Sequence, residues 1–158
     1  MKPKFSIRKD EKLMIGEKYF SNGHWMLGRE ACCSSFAPKA LAPLLNKMHG
    51  RYDFGDNTPT KFDESIFEAV IPKREGYREI SPAPIGVTFK NETEIVAYKY
   101  RVEATSGQEE FEISIAHRYV PLLKMGMPFA KNADSPILIL DSDSLNGELI
   151  GVIMPVRL

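Results

Sequence analysis

The feature that most constrains this chain is a segment that occurs twice. Phe36-Ala37-Pro38-Lys39-Ala40-Leu41-Ala42-Pro43-Leu44-Leu45-Asn46-Lys47-Met48 is echoed by Ile115-Ala116-His117-Arg118-Tyr119-Val120-Pro121-Leu122-Leu123-Lys124-Met125. Each carries an apolar entry residue, one or two basic residues, then Pro-Leu-Leu, then a Lys-Met pair. Pro43 and Pro121 stand 78 residues apart, about half the chain. Each segment runs to a glycine, Gly50 or Gly126, suited to stop a helix. Two matching segments at this spacing predict an internal duplication; the competing account is a chance recurrence in a chain rich in Pro and Leu.

The first copy has helical spacing. Ala37, Leu41, Leu44, Leu45 and Met48 share one face of a 3.6-residue period. Ser34 and Ser35 are candidate N-caps, and Pro38 is tolerated in a first turn. Pro43 and Pro121 interrupt the pattern. Each either kinks its helix or begins the regular part.

The remaining segments favour strands. Phe67–Ile71 and Ile85–Phe89 are short and apolar, Ile95–Val102 is rich in β formers, and Phe111 to Ile115 alternates with Glu112 and Ser114. Pro136–Leu140 and Leu149–Ile153 are apolar, and Asn146-Gly147 between them is a hairpin-type turn. The second half reads strand, helix, strand, turn, strand, and the first strand, helix, strand, strand. An α+β fold follows, with two helices on one face of an antiparallel sheet, and halves at about 1–84 and 85–158 of a single domain.

Composition excludes several classes. With 43% hydrophobic and 27% charged residues the chain can bury an ordinary core. No apolar run approaches the roughly 20 residues of a membrane span, and the basic N-terminus precedes no signal-like apolar stretch. The two adjacent cysteines, Cys32 and Cys33, have no third cysteine to bridge with, which fits a reducing, cytoplasmic setting. Lys plus Arg and Asp plus Glu both number 21. A protein coated with nucleic acid over its whole surface is thereby disfavoured, but one with a single basic face is not.

No catalytic or metal chemistry is expected. A Cys-His nucleophile built from His24 and Cys32 or Cys33 needs a hydrogen-bonded base and a third orienting group that nothing in the sequence supplies. His24, His49 and His117 lack metal-ligand spacing. Asp141-Ser142-Asp143 reads as a polar turn, and there is no glycine-rich phosphate loop. No cofactor is expected.

The chain ends in Val152-Ile153-Met154-Pro155-Val156-Arg157-Leu158. A strand running into Met-Pro-Val-Arg-Leu resembles the tail of bacterial DNA polymerase III beta-type sliding clamps. Asn22-Gly23-His24-Trp25-Met26 is similar to the Asp-Gly-His-Arg-Leu stretch of that family, with Asn, Trp and Met at the departures. Pro72 and Tyr77-Arg78-Glu79-Ile80-Ser81-Pro82 resemble its Phe-Pro-Asp-Tyr-Arg-Arg-Val segment, interrupted by Lys73-Arg74-Glu75 and altered at Glu79. The likeness is best from Val102 onward and covers about half the residues. A bacterial clamp protomer has three such domains and this chain has room for one.

The resemblance implies a clamp domain of two β-α-β-β(-β) halves and a non-enzymatic processivity factor for DNA replication. It implies self-association into a homo-oligomer, non-specific contact with double-stranded DNA, and capture of short peptides from a DNA polymerase or another replication partner. The helix-borne Lys39, Lys47, His117, Arg118 and Lys124, with Arg51, would face DNA phosphates, which need only positive charge at about the right distance. Gly23, His24, Met26, Tyr77, Ile80, Val152, Met154, Pro155 and Val156 would form the peptide pocket. The alternative is a clamp-like regulatory or decoy protein that binds partners without encircling DNA.

Overall fold

The structure is a computed structural model and describes residues 3–157; Leu158 of the clamp-like tail lies outside them. The architecture is mixed α+β and is dominated by antiparallel strands. An eight-stranded sheet runs in the order β4 (Gly50–Tyr52), β1 (Leu13–Ile15), β2 (Tyr19–Ser21), β3 (Trp25–Gly28), β11 (Leu149–Ile153), β10 (Ile137–Leu140), β9 (Met127–Ala130), β5 (Arg78–Glu79). A separate three-stranded meander holds β6 (Gly86–Phe89), β7 (Ile95–Val102) and β8 (Phe111–Ala116).

Period-two alternation divides the core between the faces of the large sheet. Ile15, Phe20, Trp25, Leu27, Ile137, Ile139 and Ile153 point to one face, where Tyr100, Val102, Ile113 and Ile115 of the small sheet meet them. Met26, Phe129, Leu138, Leu140 and Val152 point to the other, with Phe67 and Tyr77. Strand β10 is buried on both faces, which is why Ile137-Leu138-Ile139-Leu140 reads as a continuous apolar run.

The two Pro-Leu-Leu segments are helical, but both are 3₁₀ helices rather than the α-helices the spacing suggests: Lys39–Asn46 and His117–Met125. Proline explains the difference. It has no N–H, and its ring clashes with the carbonyl four residues back, so short i→i+3 turns replace the α ladder. Leu41 N–H donates to Pro38 O and Lys47 N–H to Leu44 O, one turn on each side of Pro43. Leu41 and Leu44 of the first segment and Tyr119, Val120, Leu122, Leu123 and Met125 of the second enter the same core cluster.

One expectation is corrected. Phe67–Ile71 does not form a strand; Ser65–Val70 is the short helix α1, entered through an Asp63 carboxylate that accepts the Ser65 N–H at 3.0 Å. The chain also divides its strands between the two sheets in blocks. Strands β1–β5 all lie in the large sheet, β6–β8 build the small one, and β9–β11 return to the large sheet between β3 and β5. No helix among the described residues is long and apolar enough to cross a membrane.

Leu122 is wholly buried although it sits in a 3₁₀ segment broken by proline. Leu122→Ala is expected to lower unfolding free energy in urea by about 2–5 kcal/mol, the range for a truncated core leucine. A loss below about 1 kcal/mol would mean that the segment is not docked on the core.

Candidate functional site

The turn between β2 and β3 is built by two side chains, Asn22 and Ser21, whose Oγ accepts the Gly23 N–H at 3.0 Å. Asn22 is buried, and its Oδ1 accepts the N–H groups of His24 at 2.8 Å and Trp25 at 2.9 Å. This side-chain-to-backbone closure is the one Asn favours in turns. Gly23 occupies the left-handed region at φ 94°, which a side chain would resist. The Asn22 amide then donates to Glu11 at 3.0 Å and to the Tyr119 hydroxyl at 3.1 Å. His24 and Gly23 are thus held at the sheet surface by a knot that reaches the second 3₁₀ segment.

Strand β11 pairs with β3 so that Val152 stands opposite Met26 and Ile153 opposite Trp25. The ladder extends one step further, with Met154 N–H donating to His24 O at 2.8 Å. Alternation sends Met26 and Val152 to the face that α1 covers. Because α1 is only six residues long, it leaves an open cleft of about 150 Å³. Gly23, His24, Met26, Val152 and Met154 line it from the sheet, joined by Met14, and Ile66, Phe67 and Val70 line it from α1. Ile66 is 40% exposed, Val70 56% and Met154 40%, so the rim is apolar and uncovered.

Five of the nine expected peptide-contacting residues therefore meet in one cleft. The other four do not line it. Tyr77 is buried and donates its hydroxyl to Pro136 O at 2.9 Å. Ile80 is buried in the other core cluster, which packs on the opposite face of the sheet. Pro155 and Val156 turn away, and Val156 N–H donates to Ser114 O on β8. The sequence reading missed Ile66, Phe67 and Val70 because it took that stretch for a strand; their i, i+1, i+4 spacing carried the helical signal.

The expected DNA-facing residues differ in their surroundings. Lys39 and Lys124 are exposed and border one broad groove with Lys4, floored by Phe5, Ile7, Pro38 and Pro121. Lys47 lies 4.7 Å over the Tyr52 ring, in a different groove. Arg51 forks onto Asp53 at 2.9–3.1 Å, which holds the Asp53 carboxyl below its ordinary range. The His117 ring packs 5.4 Å from that of Tyr98. Arg118 donates to both Glu11 oxygens at 3.2 Å and to Ser6 O at 3.2 Å, so its charge is engaged inside the fold.

Cys32 is buried, and burial followed by the adjacent Cys33 thiol pushes it up to about 12 against the pull of Arg29. A reactive thiol needs the opposite shift. Comparisons with protein-family models, with curated proteins and with solved structures returned no match.

Two predictions follow from these placements. Iodoacetamide at pH 8 is expected to alkylate exposed Cys33 in the folded chain and Cys32 only after denaturation; rapid modification of both in the native state, read by mass spectrometry, would show that the Cys32 pocket is open. Arg118→Ala is expected to destabilise the fold by about 1–3 kcal/mol, because it removes the charge-assisted hydrogen bonds to Glu11 and leaves that part-buried carboxylate with only the Asn22 amide and the Arg8 N–H. An unchanged melting temperature would leave Arg118 with no structural role.

Proposed function

We propose that this chain is a clamp-like binding module that captures a short peptide from a replication partner in the cleft between α1 and the β3–β11 pair. One observation carries this reading. The Asn22–Met26 and Val152–Met154 stretches, the two whose likeness to sliding clamps concerns peptide capture, come from opposite ends of the chain and line one exposed apolar cleft. The succession β8, 3₁₀ helix, β9, β10, β11 also supports a clamp-type half.

The cleft suits one apolar anchor. Three methionines, Met14, Met26 and Met154, give it an adaptable, polarizable wall, while His24 offers a polar rim. Burying a leucine or phenylalanine side chain contributes about 1.5–3 kcal/mol. A partner needs more than that single anchor for micromolar affinity, which corresponds to about 8 kcal/mol. The exposed Ile66 and Val70 supply a second apolar contact beside it. The role is tethering rather than catalysis.

Tethering to DNA is the second part of the reading, favoured by the groove shared by Lys4, Lys39 and Lys124. These three lysines form no ion pair among the described residues. Non-specific phosphate contact asks for no more than such a cluster, and it weakens with salt. A chain that captures peptide without retaining DNA is the regulatory or decoy form of the same module.

Fluorescence anisotropy with a labelled peptide carrying adjacent leucine and phenylalanine residues tests the cleft. Met154→Glu and Val70→Glu are each expected to weaken binding at least about tenfold, equivalent to about 1.4 kcal/mol. Removal of residues 155–158 is expected to leave it nearly unchanged, because Pro155 and Val156 do not line the cleft. Equal binding by wild type and Met154→Glu would defeat the assignment. For DNA, Lys39→Glu with Lys124→Glu is expected to abolish a salt-sensitive retention; absence of any retention by the wild type at low salt removes the DNA part and leaves the peptide part standing.

A further inference from the structure

Strand β6 has β7 on one side and no strand on the other among the described residues. Ile85 just before it, Val87 and Phe89 are 43%, 42% and 51% exposed. Val87 stands opposite Tyr98, and Tyr98 opposite Ile115. Val87 therefore lies on the face by which β7 and β8 enter the core; the register shifts after Thr88, so that Phe89 stands opposite Ile95, and alternation along β6 sets Ile85 and Phe89 on the side of Val87. That face continues onto β6 and ends there uncovered.

End strands are ordinarily protected by charge, proline or brevity, because their outward N–H and C=O groups invite another strand. Gly86-Val87-Thr88-Phe89 contains neither a charged residue nor a proline, so its four-residue length and the flanking Pro84 and Lys90 are its protection.

We infer that a second copy of this chain covers this edge, β6 pairing antiparallel with β6 of the second copy about a two-fold axis through Val87. The residue order selects both occupant and register. With Val87 on the axis, Val87 meets its own copy, Ile85 meets Phe89, and Gly86 meets Thr88. Lys90 falls opposite Pro84 and Asn91 opposite Ala83, so no like charges oppose each other. A slip of one residue would send the apolar side chains of the two copies to opposite faces. A slip of two would leave Ile85 facing Asn91 or Phe89 facing only the small Ala83. The pairing merges two three-stranded meanders into one six-stranded sheet and joins their apolar faces on the same side. Because the contact is isologous, it closes at two copies. It uses neither the cleft nor the lysine groove, so it stands or falls apart from the peptide reading.

Sedimentation velocity across a concentration series tests it. The wild-type chain is expected to reach the mass of two copies at the upper end. Val87→Lys, which sets two ammonium groups against each other on the axis, is expected to stay at one copy with an unchanged far-UV circular dichroism spectrum. A wild-type chain that remains at one copy throughout, or a folded Val87→Lys chain that keeps the mass of two, overturns the inference. Should Val87→Lys fail to fold, Val87→Cys in a Cys33→Ser background decides. Facing cysteines on the axis are expected to give a covalent dimer on mild oxidation, whereas a product that stays at one copy refutes the pairing.

Discussion

The β3–β11 pairing is the contact on which the molecule depends. It joins residues near the start of the chain to residues at its end, and it sits in the middle of the eight-stranded sheet. Without it, β4, β1, β2 and β3 would form a four-stranded sheet detached from β11, β10, β9 and β5. Its backbones approach closely: a Cβ on Gly151 would collide with Met26 O and the Leu27 side chain. Glycine is required there by space, since Gly151 has no positive φ. The same pairing aligns His24 with Met154, so the fold's main seam and the rim of the cleft are one structure.

What keeps the cleft open is an imbalance between the two faces of the sheet. One face meets a whole second sheet and three 3₁₀ segments, the two Pro-Leu-Leu ones and the short Ala31–Cys33. The other meets a six-residue helix and the loops beside it. Phe67 does most of that covering, wedged against Phe62 at 5.5 Å and Tyr19 at 5.7 Å between ring centroids. Ile66 and Val70 flank Phe67 on a helix too short to bury all three. Their exposed side chains form the apolar rim of the cleft. The peptide capture proposed for the cleft would cover this rim with no rearrangement of the core.

Legibility in the sequence tracked the length of each element. The eight residues Ile95–Val102 and the six of Phe111–Ala116 carry enough alternation to be read as strands, and so they are. Strands β1, β2 and β3 have three or four residues each, fewer than a periodic pattern needs, and their pairing partners lie far along the chain. The Pro-Leu-Leu segments were recognisable as helical, but their type depended on how each proline was accommodated. At the cleft, the Asn22–Met26 and Val152–Met154 fragments were legible as short motifs. The fragment at Tyr77–Ile80 misled. It follows Gly76 at φ 81°, and strand alternation then turns Tyr77 and Ile80 to opposite faces of the sheet, each into a core cluster.

The basic residues show most clearly why counting charges does not locate a binding face. Several arginines act as staples for loops. Arg29 donates to Glu17 O, Gly16 O and Leu45 O, and Arg78 to Glu103 O and Glu109 O. Arg74 donates to Leu145 O and Gly147 O, fixing the turn ahead of β11. The planar guanidinium suits this work because its several donors can satisfy two carbonyls at once, whereas an ammonium on a flexible stem serves as a hydrated point charge. Arg118 belongs to the first group, tied to Ser6 and Glu11, and Lys39 and Lys124 to the second. Any electrostatic attraction of this neutral chain for phosphate would come from cations that the fold leaves in water, and the groove beside the N-terminal segment gathers three lysines of that kind.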